Sequence, residues 1–280
     1  MSGQRRQAAW LVAPGLVLLL GLFYLPQALM LAVSLGRRSS YGGVVRDVSL
    51  ANYLRALEPL YLGILWRSVL LAAATTAVCL LVAYPVAWWI ARRAPPRWRN
   101  ALLALVILPF WTSFLVRMYA WIVLLRSEGV VNLGLAAAGL PRAELLYNDL
   151  AVLLGQVYGE LPFMIIPLYV SLEKLDGTLL EAAADLGAGA WEAFRRVVVP
   201  QTTPGIVSGC VLVFIPSLGA YLAPDLLGGG KTAYVGNLIQ SQFAVARDMP
   251  FGAALSFVLS LLVVLLLVAF RRPLQSARAL

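Results

Sequence analysis

Histidine is absent from this chain, cysteine occurs twice, and only 12% of the residues are charged. The missing histidine removes the commonest general base and metal ligand. Cys79 and Cys210 lie inside apolar runs, where a thiol behaves as a small hydrophobe, so neither a disulfide nor a metal site is inferred. The scarcity of charge excludes an ordinary soluble domain, of which about one quarter is charged. What fills the chain instead is 61% hydrophobic residues with a mean hydropathy of +0.83, the composition of an all-α polytopic membrane protein. A net charge of +9 would point to nucleic acid in a soluble domain. Here the arginines cluster at the ends of apolar spans, as a cytoplasmic-side bias requires, so the expected partner is the lipid bilayer and not nucleic acid.

Six spans follow from the pattern. Arg5 and Arg6 precede a charge-free run from Gln7 to Gly36, longer than the core of a cleavable signal and therefore read as a retained first transmembrane helix. Arg37 to Arg67 turns polar, with Tyr41-Gly42-Gly43, Asn52 and Glu58-Pro59 as loop signals, and is expected outside although its arginines run against the orientation rule. Ser68 to Ala91 is the second span, closed by the basic turn Arg92 to Arg99 on the cytoplasmic side. The third runs from Leu102 to Leu125 and carries Arg117, at a cost of about 2.5 to 3.5 kcal/mol on insertion scales. After an external loop from Arg126 to Asp149, the fourth span, Leu150 to Leu172, holds Glu160 beside Gly155 and Gly159, a pair spaced for close helix approach. The fifth, Gln201 to Leu222, has a similar pair in Gly205 and Gly209. Asp225 to Asp248 is the last external loop, and Phe251 to Phe270 the sixth span, closed by Arg271, Arg272 and Arg278. Six spans put both termini on one face, and the density of arginine in its short segments makes that face cytoplasmic.

Between spans four and five lies the one long polar stretch near the middle, Thr178 to Pro200. Thr178 with Glu181 three residues on reads as a capping box that starts a helix. Leu179, Ala183, Leu186, Ala190 and Phe194 recur at helical spacing, with Glu181, Asp185 and Glu192 on another side. Gly187 predicts a left-handed bend and Pro200 a boundary, giving two short helices at an angle.

The order Glu181-Ala182-Ala183, then Gly187, Val197, Val199 and Pro200 resembles the EAA loop of ABC importer permease subunits, with valine in place of isoleucine and leucine at two positions. The resemblance implies the type I ABC importer fold and a cytoplasmic loop that couples to a separate ATPase through Glu181, Ala182, Ala183, Asp185, Gly187, Arg195 and Pro200. Leu108 to Trp121, Gly129 to Asn132, Val157 to Asp176, Pro224 to Gly229, Gly236 to Ile239, Gln242-Phe243 and Pro250 to Ser256 are similar to segments of spermidine/putrescine-type permeases. That likeness implies an inner-membrane subunit working with an ATP-binding subunit pair, a second homologous permease and an extracytoplasmic binding protein, ATP being used by the partner and no cofactor held by this chain. It also implies the division 1–62, first helix and external loop; 63–272, transporter domain with the coupling loop 178–200; and 273–280, cytoplasmic tail.

A polycation needs carboxylates and ring faces in place of water, and Trp111, Tyr158, Glu160, Tyr221 and Asp225 offer them, with Arg117 also in the pathway. Two bland readings stand beside this one: tryptophan and tyrosine near span ends as belt anchors, and Arg117 paired structurally with Glu160. Ala220 stands where relatives with other cargo often carry an acid, so the partner permease supplies more of the cation recognition in this reading. Other small solutes, such as an amino-acid derivative or organophosphonate, fit the same architecture. A secondary transporter would need a second copy of the Glu181 to Pro200 pattern, which is not seen. A membrane enzyme would need convergent bases or ligands, which scattered carboxylates do not supply. Asp225 to Thr232 ends like a Walker A loop but has Asp225 in place of the first glycine, which would repel phosphate.

Overall fold

The computed structural model describes residues 2–39, 43–45 and 47–276, with residues 2–9, 11 and 269–276 through their backbone alone. Tyr41, Gly42 and Arg278, assigned above to loop and tail, lie outside the described residues, as do the side chains of Arg5, Arg6, Arg271 and Arg272. The chain is helical almost throughout. In order come α1 (Ser2–Ser34), a two-residue hairpin of β1 (Arg37–Arg38) and β2 (Val44–Val45), α2 (Ala51–Ala56), α3 (Pro59–Trp88), α4 (Pro96–Ile107), α5 (Phe114–Leu125) and α6 (Val130–Ala137). These are followed by α7 (Asp149–Glu173), α8 (Gly177–Asp185), α9 (Ala190–Ala193), α10 (Val199–Gly219), α11 (Leu222–Gly228), α12 (Val235–Ala244) and α13 (Met249–Ser276). Among the described residues six helical stretches are long and apolar enough to cross a membrane: Val12–Ser34, Pro59–Arg93, Phe114–Ala137, Asp149–Glu173, Ala190–Gly219 and Met249–Val268.

Two compact units are present. The first comprises Met1–Leu62 with Leu238–Leu261. The apolar stretch of α1 is exposed along its length, as a helix facing lipid hydrocarbon would be. Its last carbonyl and the turn after it are met from α2, where Asn52 Nδ2 donates to Ser34 O at 3.0 Å and Gly36 O at 2.8 Å. Ser34 Oγ and the Tyr53 hydroxyl share a hydrogen bond of 2.7 Å. A small core of Ala56, Phe251 and Leu255, with Tyr61 and Ile239 against it, completes the unit.

The second unit, Gly63–Asn237 with Leu262–Leu280, is built on α7. Asn148 caps that helix by accepting the Ala151 N–H at 2.8 Å. Both small-residue pairs pack as their spacing predicts. A Cβ at Gly159 would come 2.7 Å from the Phe114 ring, and one at Gly155 would collide with Leu227. On α10, a Cβ at Gly209 would lie 2.6 Å from Met164 Sδ, and one at Gly205 2.7 Å from Pro167 O. Helices α7 and α10 therefore approach almost backbone to backbone at Gly205, whereas Gly155 and Gly159 make room for the side chains of Leu227 and Phe114. Around them Cys79, Ala83, Met164, Leu168, Leu172 and Val213 form one buried cluster, and Met118, Val152, Ala223 and Leu227 belong to a second.

Three sequence expectations are corrected. The span from Leu102 to Leu125 is broken: α4 ends at Ile107, a 3-10 turn covers Leu108–Trp111, and Thr112 and Ser113 are extended before α5 begins. Pro109 has no N–H to continue the ladder, and Thr112 Oγ1 donates to Pro109 O at 2.7 Å to close the turn. The loop from Arg126 to Asp149 contains the helix α6, folded over buried Asn132, which bonds Arg126 O and both backbone groups of Ala143. The second span starts at Pro59 instead of Ser68, because Glu58-Pro59 serves as a helix start, proline being tolerated at the first turn.

Candidate functional site

The polar stretch after α7 folds as one short helix, α8, and the start of a long helical run at Ala190, about a bend at Gly187 whose φ of 81° is left-handed as predicted. Its cap is not the predicted box. Asp176 caps α8 by accepting the Thr178 N–H at 3.0 Å, and no side-chain bond joins Thr178 and Glu181. That N–H holds the Asp176 carboxyl below its ordinary value. Pro200 is not a boundary either. A single helical run continues from Ala190 to Gly219, with a π turn at Phe194–Val198 just before the proline. Pro200 cannot donate to the Arg196 carbonyl, and the wider turn makes room for its ring.

One face of this segment is anchored and the other is bare. Leu175, Leu180, Phe194 and Val198 join the core cluster with Ile90, Ala91 and Leu172. Arg92, from the basic turn after α3, donates to Leu175 O at 3.0 Å, so the basic turn and the bent loop share one end of this unit. Rings continue the linkage: Trp191 stacks on Phe194 at 5.5 Å, Phe194 meets Tyr84 edge-on at 5.5 Å, and the Tyr84 hydroxyl bonds Thr202 Oγ1 at 2.9 Å. On the bare face Leu186 is 88% and Trp191 73% exposed. Glu181, Ala182, Asp185, Gly187, Arg195 and Pro200 are exposed and Ala183 is half-buried, while Arg196 pairs with Glu192 at 3.0 Å.

The second assembly lies where α5 meets α7. Arg117 is buried, its guanidinium 4.9 Å from the Phe110 ring centre, 5.4 Å from Phe114 and 5.9 Å from Tyr158. Tyr158 is braced edge-on by Trp121 at 5.7 Å, and Phe110 by Phe163 at 5.1 Å. The alternative of a structural ion pair is not realised: among the described residues, no salt bridge joins Arg117 and Glu160, and Glu160 Oε2 and Arg117 Nε and Nη1 have no hydrogen-bond partner.

Of the six expected pathway residues, Arg117 and Tyr158 are thus brought together, and Glu160 follows two residues after Tyr158 on α7. Trp111 stands 84% exposed on the 3-10 turn, Tyr221 immediately precedes α11, and Asp225 is exposed in its first turn. No hydrogen bond, ion pair or ring contact among the described residues links those three to the Arg117 cluster. Gly229 and Gly230 turn left-handed after a helix, without the strand that a phosphate-binding loop requires.

A family model described as binding-protein-dependent transport system inner membrane component matches residues 83–275, which takes in the α5 and α7 cluster and the bent loop alike. The chain belongs to that family. It is accordingly a multi-pass permease subunit of an ABC-type importer, a transport protein and not an enzyme. Curated relatives include the spermidine/putrescine transport system permease protein PotB of Haemophilus influenzae, 42% identical over 250 residues, covering 89% of this chain and 87% of that protein. PotB of Escherichia coli K12 is 41% identical over 252 residues, covering 89% and 91%. The inner membrane ABC transporter permease protein YdcU of the same organism is 33% identical over 242 residues, covering 82% and 77%. Among solved structures, a bacterial ABC transporter involved in the import of the acidic polysaccharide alginate superposes with a TM-score of 0.77 at 16% identity, over 99% of this chain and 98% of that one. The permease fold is the same.

Phe110 and Phe114 are the site residues that the sequence reading missed in this permease. Their signal was present: with Arg117 they stand at positions i, i+4 and i+7, one helical face had the segment been unbroken.

Proposed function

We propose that this permease forms half of the translocation pathway of an ATP-driven importer for polyamines of the spermidine/putrescine class. The observation that carries the cargo is the identity of 41% and 42% with two spermidine/putrescine permeases over 89% of the chain. The α5 and α7 cluster supports it, since ring faces and an unpaired carboxylate suit a polycation. In this reading residues 178–200 form the coupling loop, through which Glu181, Ala182, Ala183, Asp185, Gly187, Arg195 and Pro200 meet one of a pair of ATP-binding subunits. Exposed Leu186 and Trp191, on a segment otherwise tied into the core, give that partner an apolar patch. A second homologous permease completes the pathway, and a binding protein delivers cargo from outside. Both termini and the loop are cytoplasmic, and residues 63–272 make the transporter domain.

Reconstitution of the complex with labelled spermidine and putrescine tests this. ATP-dependent uptake of either is expected, and Glu181→Lys is expected to abolish it while the protein stays in the membrane. A complex that hydrolyses ATP and imports an amino-acid derivative or organophosphonate but no polyamine would refute the cargo and leave the architecture.

A further inference from the structure

Arg117 is held in an unusual way for a buried cation. At 9% exposure it has left water, yet two of its nitrogens donate to nothing among the described residues. A purely structural arginine at membrane depth spends its donors on carbonyls or a carboxylate. This one spends its charge on ring faces, with Phe110, Phe114 and Tyr158 all within 5.9 Å of the guanidinium carbon. On the neighbouring helix α7, Glu160 also has a buried carboxylate oxygen, Oε2, with no hydrogen-bond partner among the described residues. Three ring faces are not specific to a guanidinium. They also take an alkylammonium head, though without the stacking that a planar guanidinium adds.

Resting on the polyamine reading above, we propose that the cage of Phe110, Phe114 and Tyr158 is the cargo's cation subsite, and that Arg117 is its tethered occupant, displaced when an ammonium group arrives. An internal competitor lowers apparent affinity by the fraction of time it fills the site. It thereby keeps the site from retaining cargo that must be released onward. Lysine is the informative replacement, because an ammonium keeps the charge but lacks the planar group that stacks on rings.

The test is equilibrium binding of labelled spermidine to the purified complex in nanodiscs, without binding protein. Arg117→Met is expected to bind at least threefold tighter than wild type, and Arg117→Lys to shift in the same direction by less. Tighter binding by Arg117→Met with wild-type affinity in Arg117→Lys would mean simple charge repulsion and overturn the tethered occupant. Unchanged or weaker binding in both would also overturn it, as a structural arginine predicts. Should Arg117→Met fail to assemble, Arg117→Lys alone decides by whether its affinity rises. If the wild-type complex neither binds nor imports spermidine, the cargo reading falls and this inference with it. Uptake by wild type without the affinity gain removes this inference alone.

Discussion

Asp248 uses both carboxylate oxygens at the entry to α13. Oδ2 takes Arg55 Nη1 at 3.0 Å, and Oδ1 takes the Phe251 N–H at 3.3 Å as a helix cap. Arg55 in turn lies 3.9 Å over the Phe251 ring and donates to the Tyr61 hydroxyl at 3.2 Å. Asp248→Ala removes cap and ion pair together and is expected to cost about 2 kcal/mol, the pair being discounted because Arg55 is 42% exposed. Arg55→Met keeps contact with Phe251 and should cost less. Thermal unfolding of the detergent-solubilised protein reads both, and an Asp248→Ala protein that melts with wild type refutes the pin. None of this was legible in the sequence, where Arg55 and Asp248 stand 193 positions apart as two ordinary loop charges. Arg117 and Glu160 were legible as out-of-place charges. Their failure to pair was not, because a residue string shows charge and spacing but not where a side chain turns. Glu160→Gln, isosteric at an atom with no hydrogen-bond partner, is expected to lower polyamine uptake severalfold with normal subunit assembly. Unchanged uptake removes Glu160 from the pathway.

At the scale of the element, the bent loop was readable because its main determinant is local. Gly187 sits at φ 81° with nothing within 4 Å of where a Cβ would stand, so its requirement is backbone conformation alone. A β-branched residue there bears at least the usual left-handed penalty of about 1 to 2 kcal/mol, whereas asparagine visits that region with less cost. Gly187→Val should therefore abolish ATP-driven uptake and Gly187→Asn keep a substantial part, with both proteins present in the membrane. Equal activity of the two would mean that the bend is not what couples. What local reading got wrong came from competition between local signals. Thr178 and Glu181 satisfy the capping pattern, but Asp176, two residues earlier, reaches the Thr178 N–H first. Pro200 reads as a stop, yet a π turn carries the helix through it, and the partners of its Phe194 and Val198, such as Tyr84 and Ile90, come from far along the chain.

For the whole molecule, hydropathy found the fourth span almost to the residue, Leu150 to Leu172 against α7 at Asp149–Glu173, because α7 is apolar and unbroken. It ran α4 into α5 for the opposite reason, since apolar content continues through Pro109 while the dihedrals do not. Helix α7 enters the bent loop and α10 leaves it. That order fixes a topological expectation. Helix α7 has 25 residues, about 37 Å at 1.5 Å per residue, enough to cross the hydrocarbon core once. Leu140 before it and Leu186 after it must then face opposite aqueous compartments, and they are 55% and 88% exposed. With Cys79 and Cys210 replaced by alanine, a single cysteine at position 186 should react with a membrane-impermeant maleimide only in inside-out vesicles. One at position 140 should react only in right-side-out vesicles. Labelling of position 186 from the outside would place the loop away from cytoplasmic ATP, and no ATPase could then drive this permease through it.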